Sequence, residues 1–143
     1  MRLSWDQYFH EFARLVARRS EDLSTQVGCI IVGPDLDVRA TGYNGMPRGV
    51  RATPERLERP AKYFYTSHAE VSAVGNAARS GVSLAGCTAY VTHHPCDDCT
   101  RLLIQAGITH VSVGSGTTSM PSEKFEAARI MLEEAGIETS SHG

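Results

Sequence analysis

Two runs rich in strand-forming residues, VGCIIVG (27–33) and VRATGYN (38–44), are separated by only the four residues PDLD. So short a link permits a hairpin and nothing else, which makes the first two strands antiparallel. The later strand-like runs, CTAYVTH and THVSVG, are instead separated by a helical stretch, PCDDCTRLLIQAG, long enough for a crossover. A hairpin followed by crossovers gives a mixed sheet that needs helices on its faces.

The helices follow from spacing and end signals. Trp5, Tyr8, Phe9, Phe12, Leu15 and Val16 recur with helical period, predicting a helix over 5–18 packed on the sheet. Ser67 is placed to cap a helix from His68 to about Arg79, and Ser122 to cap SEKFEAARIMLEEAG. A short last strand is expected near Ile137, and SSHG at the end of the chain is expected to fray. Residues 45–66 carry Gly, Pro and charge without a clean period and read as one long loop, a length that usually has a function. The order α-β-β-α-β-α-β-α predicts a single three-layer α/β/α domain over 1–143 with a mixed sheet of about five strands.

Composition removes some functions. The chain has 143 residues, with 14 Lys+Arg against 16 Asp+Glu, so no overall basic field is available to hold a nucleic-acid polymer. No apolar run reaches the length of a membrane span, and MRLSWDQYFHEFARLVARRS is amphipathic with acidic residues rather than a signal peptide, which leads to the expectation of a cytoplasmic protein. Of the four cysteines, Cys96 and Cys99 form a close Cys-x-x-Cys pair suited to metal or redox chemistry, Cys29 and Cys87 sit within strands as small hydrophobes, and no structural disulfide is expected.

A histidine at a helix start is ordinarily a surface or capping residue, but His68 has company. Cys96 and Cys99 open the next helix at i and i+3, so both sulfurs reach one face, and His68 at a neighbouring helix start can supply a third donor. Three protein donors leave one tetrahedral position of a zinc ion open, the arrangement of a catalytic site. Both helix N-termini direct partial positive charge at the thiolates. Glu70, two residues after His68, can shuttle a proton without binding the metal. A structural zinc knot completed by His93 or His94, or a redox pair, remains the alternative; the redox reading leaves His68 and Glu70 without a role. His-x-Glu followed by Pro-Cys-x-x-Cys is the signature of zinc nucleobase deaminases.

With SWDQYFHEFARLVARRS, STQVGCIIV, TGYNGMPRG, HAE, YVTHHPCDDCTRLLIQAGI and EAARIMLEEAGI, the sequence resembles the deoxycytidylate (dCMP) deaminases of the cytidine deaminase superfamily from about Trp5 to Glu138. The His-Ala-Glu and Pro-Cys-x-x-Cys elements mark only the superfamily, whereas GYNGMPRG with RRS and QVG narrows the resemblance to dCMP. It implies a cytidine deaminase-like fold and hydrolysis of dCMP to dUMP and ammonia, with hydroxide attacking C4 and Glu70 moving protons to N3 and the amino group. It implies one catalytic zinc held by His68, Cys96 and Cys99. Asn44 then bonds the deoxyribose, Arg19 and Ser20 meet the 5′ phosphate, and Gln26, Val27 and Ala69 edge the base pocket, with Lys124 and Arg129 as further cations.

Relatives of this kind are commonly homohexamers activated by dCTP with Mg²⁺ and inhibited by dTTP. On that resemblance Tyr43, Asn44, Gly45, Met46, Pro47 and Arg48 shape an effector site at a subunit boundary. The sequence departs from the family at Val50, where many members have a cysteine, so a second, structural zinc is not expected. It departs again at Ser72, where many have asparagine, and at His94 before Pro95. SGTTSMPS (115–122) reads as a flap or a plain connector. A polynucleotide-editing deaminase and a non-catalytic nucleotide-binding protein with structural zinc are the competing functions. The first lacks a basic track, and the second leaves Glu70 unexplained.

Overall fold

The computed structural model describes residues 1–142. Helix α1 (Trp5–Ala17) opens with a capping box in which Ser4 and Gln7 satisfy each other's backbone N–H groups. Strands β1 (Gly28–Val32) and β2 (Val38–Tyr43) form the antiparallel hairpin, with Gly28 opposite Tyr43 and Ile31 opposite Ala40. β3 (Thr88–His93) pairs antiparallel with β1, and β4 (His110–Gly116) and β5 (Glu138–Ser141) add in parallel. The five-stranded order is β2-β1-β3-β4-β5.

Side chains alternate across this sheet as pleating requires. Ile30 and Val32 meet Phe9 and Ala13 of α1 on one face. Cys29 and Ile31 face the other way, into a larger core with Ala69, Ala73, Leu103 and Leu132. That second face carries α3 (Ala69–Ser80), α4 (Asp97–Ala106) and α5 (Ser122–Glu134). The result is the expected three-layer α/β/α domain with a mixed sheet.

Several local expectations change. Helix α1 sets Phe9, His10, Ala13 and Ala17 against the sheet, while Trp5, Tyr8 and Leu15 stay exposed. Small residues face inward because the helix lies almost on the strand: a Cβ on Gly28 would fall 2.0 Å from the Ala13 carbonyl oxygen. The N-cap of α3 is His68, not Ser67, and Ser122 is the first residue of α5 after Pro121 at the cap position. The 45–66 segment is not one loop, since it contains a 3₁₀ turn at Pro54–Leu57, capped by Thr53, and a short helix α2 (Lys62–Tyr65). Ser140 and Ser141 pair with β4 instead of fraying, and Gly143 lies outside the described residues. All four cysteines are free, with Cys29 and Cys87 fully buried.

Candidate active site and metal centre

β2 and β3 both run antiparallel to β1, so their C-terminal ends leave the same edge of the sheet. The chain beyond β3 turns directly into α4. Beyond β2 it returns through a two-residue clamp, in which the backbones of Gly45 and Ser67 exchange hydrogen bonds of 3.0 and 2.8 Å. This clamp sets His68 beside the end of β2. Gly42 then lets α3 settle onto the strand, because a Cβ there would stand 2.3 Å from the Ala73 nitrogen and 2.4 Å from the Ala69 carbonyl oxygen.

The starts of α3 and α4 therefore converge. His68 and Cys96 are N-cap residues with extended backbones, and Glu70 and Cys99 lie in the first turns that follow. His68 Nδ1 stands 3.2 Å from Cys99 Sγ and 3.6 Å from Cys96 Sγ. The three donor atoms all lie within 4.8 Å of one another. Zn–S and Zn–N bonds at a tetrahedral angle require an N···S separation of about 3.6 Å, so these residues fit a zinc ion. One nitrogen and two sulfurs are also a donor set that favours zinc over magnesium or calcium. A hydrogen bond from Cys99 holds the Cys96 thiol down to about 4, with His68 assisting, while that same bond and burial push the Cys99 thiol up.

Glu70 is 4% exposed and stands outside the three-donor cluster. Burial pushes its carboxyl up to about 7, against the pull of its own backbone N–H and His68. A carboxyl so placed can hold or release a proton near neutral pH. It opens onto a pocket whose lining includes Val27, Asn44, His68, Ala69 and Cys96, closed on another side by Thr118, Ser119 and Met120 from the stretch after β4.

Residues 3–115 match the family model of the cytidine and deoxycytidylate deaminase zinc-binding region. The chain belongs to this family. It is 39% identical over 143 residues to the deoxycytidylate deaminase of Mus musculus, covering 94% of this chain and 78% of the mouse protein. It is 36% identical over 141 residues to the ComE operon protein 2 of Bacillus subtilis, covering 96% of this chain and 74% of that one. Its fold matches the crystal structure of the dCMP deaminase from cyanophage S-TIM5 in apo form, with a TM-score of 0.79 and 26% identity over 99% of this chain and 100% of that one.

Within this family site the remaining candidates separate. Asn44 lines the pocket, but its amide also ties the opposite wall together: Oδ1 accepts from the Val27 N–H at 2.8 Å and Nδ2 donates to the Thr25 carbonyl at 2.8 Å. Ser20 is buried, donating to the Asn44 carbonyl at 2.7 Å and accepting from the Asp22 N–H at 3.2 Å. Gln26 donates to the Ser20 carbonyl at 3.0 Å. Ser20 and Gln26 thus brace the wall from behind, and neither lines the pocket.

The proposed cations lie elsewhere. Arg19 is exposed and outside the pocket lining. Lys124 pairs with Asp97 at 3.0 Å, pinning α5 to the first turn of α4, and Arg129 pairs with Glu126 and Glu133 on the outer face of α5. Of the 43–48 stretch, Gly45 is spent on the Ser67 clamp, and Met46 donates its N–H to Glu21 at 2.8 Å. Arg48 lines a separate groove with Arg39 and Arg79.

The structure adds residues that spacing did not point to. Asp22, Thr25, Arg59, Lys62, Tyr63 and Thr66 also line the pocket, together with His93 and His94, which the sequence offers only as donors to a structural zinc. The Lys62 ammonium is buried against Asp22 at 2.9 Å, with side-chain exposures of 7% and 9%, and reaches Ser24 Oγ at 3.1 Å. Burial alone would raise the Asp22 carboxyl, but the bonds from Lys62 and Ser24 outweigh it and hold it below its ordinary value. The one signal in the sequence was a lysine inside the aromatic run KYFY, where a buried charge needs a partner.

Proposed function

We propose that the chain is a zinc-dependent hydrolase that converts dCMP to dUMP and ammonia, a step toward dTMP. The observation that carries this reading is the placement of buried Glu70 beside a three-donor cluster at the floor of a pocket. A fourth protein donor would argue for a structural knot. His93 and His94 stand outside the cluster, their Nδ1 atoms instead lying 2.7 Å from Thr92 Oγ1 and 2.8 Å from the Pro95 carbonyl.

Bound by His68, Cys96 and Cys99, zinc supplies a Lewis acid with an open position that makes water acidic near neutral pH. The protein's own groups do the rest. The Glu70 carboxylate takes one proton from the attacking water and delivers it to N3, where it stays, and then carries the second proton, from the hydroxyl now on C4, to the exocyclic amino nitrogen. The C4–N bond is exchanged for C4–O, and nitrogen leaves as ammonia. Val27 and Ala69 wall the base, and Asn44 keeps one amide hydrogen and one lone pair for the sugar while holding Thr25 and Val27 in place. Enclosure of Glu70 strengthens its action on developing charge.

Regulation belongs to the same proposal. The enzyme works as a homohexamer in the cytoplasm, activated by dCTP with Mg²⁺ and inhibited by dTTP through Tyr43, Asn44, Gly45, Met46, Pro47 and Arg48. Continuity of this segment supports the reading: Asn44 is in the pocket wall, and four residues later Arg48 lines another groove. One loop touching both sites gives a route for coupling. Exposed Trp5, Tyr8 and Phe64 support an assembly, and no helix among the described residues is long and apolar enough to cross a membrane.

The test is ammonia release from zinc-analysed protein given dCMP, dCTP, deoxycytidine or a cytosine-containing single strand, each with and without dCTP·Mg²⁺ or dTTP. Turnover of dCMP far above that of the other three, raised by dCTP and suppressed by dTTP, is the expected result. Preference for the strand or the nucleoside would refute the substrate assignment, and zinc-loaded protein inert toward all four would refute the catalytic one.

A further inference from the structure

We propose that Arg59 fixes the phosphate of the substrate and makes the pocket select a nucleoside monophosphate over the free nucleoside; the inference rests on the deaminase reading above. Only two long cationic side chains, Arg59 and Lys62, are among the described residues lining the pocket. Their situations are opposite. The charge of Lys62 is matched by Asp22 at 2.9 Å and screened from solvent, so it anchors α2 to the 20–27 segment and adds little net charge.

Arg59 is exposed at the rim and pairs with no carboxylate among the described residues. Its Nε donates to the Tyr63 hydroxyl at 2.6 Å. That bond orients the guanidinium and leaves both terminal nitrogens, a fork matched to two oxygens of a phosphate. Because the Tyr63 oxygen accepts from Nε, its own hydrogen is free to donate to the same anion. Tyr63 lines the pocket as well. The pocket lining therefore carries two chemistries that differ in exposure, the buried Glu70 beside His68 and an exposed, unneutralised guanidinium with a phenol. A cytosine joined through deoxyribose to a phosphate presents the matching pair of groups. The other arginine and lysine candidates are outside the lining, and Lys124 and Arg129 already have carboxylate partners.

The experiment compares kcat and KM for dCMP and kcat/KM for deoxycytidine in the zinc-loaded wild type and in Arg59→Ala, Arg59→Lys and Arg19→Ala. Loss of a charge-assisted, two-pronged contact should raise KM for dCMP roughly 10- to 100-fold in Arg59→Ala, with kcat within a few-fold and deoxycytidine kcat/KM unmoved. Arg59→Lys, which keeps the charge without the fork, should recover part of that loss. Equal losses on both substrates would mean a structural role and overturn the proposal. So would an unchanged KM for dCMP in Arg59→Ala, or a rise seen in Arg19→Ala in its place. Wild type that turns over neither substrate would overturn the deaminase reading itself, whereas active wild type with an indifferent Arg59 would overturn only this inference.

Discussion

The zinc corner and the rim line the same pocket but are held by different forces. The corner consists of two helix starts seated on one sheet edge, with His68 and Glu70 within one turn of α3 and Cys96 and Cys99 within one turn of α4. Backbone hydrogen bonds from Ser72 to His68 and from Thr100 to Cys96 lock each turn. The rim depends on side chains reaching between distant segments, Lys62 to Asp22 and Asn44 to Thr25 and Val27, with Arg59 bonded locally to Tyr63. On the proposed function, the part that would hold a metal in fixed geometry is built on regular backbone, and the wall that would fit a substrate is built largely on side chains from loops.

This contrast predicts that the two regions fail separately. The largest effect is expected at the corner. Cys99→Ala should lower zinc content from one ion per chain to near none after gel filtration and reduce turnover by at least about 10³-fold, because two remaining donors cannot hold a catalytic ion. Full zinc retention would show that Cys99 is not a ligand.

At the rim, Lys62→Met should destabilise the fold by about 3–5 kcal/mol in urea unfolding, since it strands the buried Asp22 carboxylate. Zinc content of the folded fraction should be unchanged. Adding Asp22→Leu should restore most of the stability, and a double variant as weak as the single one would mean that the ion pair is not the source of the loss.

The smallest of the three effects is expected from acid, acting on neither region. His10 is 1% exposed on the opposite face of the sheet, with Nε2 2.7 Å from Ser112 Oγ and its ring stacked on His142. Burial lowers its pKa from 6.5 to about 4, His142 and Arg14 add to the shift, and Asp6 opposes it; Tyr90 packs edge-on. Between those values the unfolded chain binds the extra proton, so this contribution to stability is present above about pH 6.5 and falls as pH drops toward 4, by about 3 kcal/mol at most. Unfolding curves across that range should be steeper for wild type than for His10→Gln, and parallel slopes would assign the acid sensitivity to other groups.

The same contrast explains what could be read from the amino-acid order. His-x-Glu and Cys-x-x-Cys lie within single turns, so spacing translates directly into shared geometry, and the short PDLD link compels the hairpin. The pairing of Lys62 with Asp22 joins residues 40 apart in sequence and leaves no periodic trace. Arg19 and Ser20 were adjacent in the chain but separate in the fold: the end of α1 turns Ser20 inward to Asn44 and leaves Arg19 in solvent. The stripe Trp5, Tyr8, Phe9, Phe12, Leu15 and Val16 marks the helix and half of its buried face: Phe9 is in the core with Phe12 and Val16 packed against it, whereas Trp5, Tyr8 and Leu15 are exposed, because close approach at Gly28 favours Ala13 and Ala17 over large side chains.

The most direct measurement is the zinc content and dCMP deamination rate of Glu70→Gln beside the wild type. Glutamine keeps the size of the side chain and removes its ability to carry the proton. The account predicts one zinc per chain in both proteins and loss of turnover by about 10³-fold or more in the variant, within the range that proton transfer contributes. A variant that keeps both its zinc and its turnover would contradict the role assigned to Glu70 and the mechanism built on it.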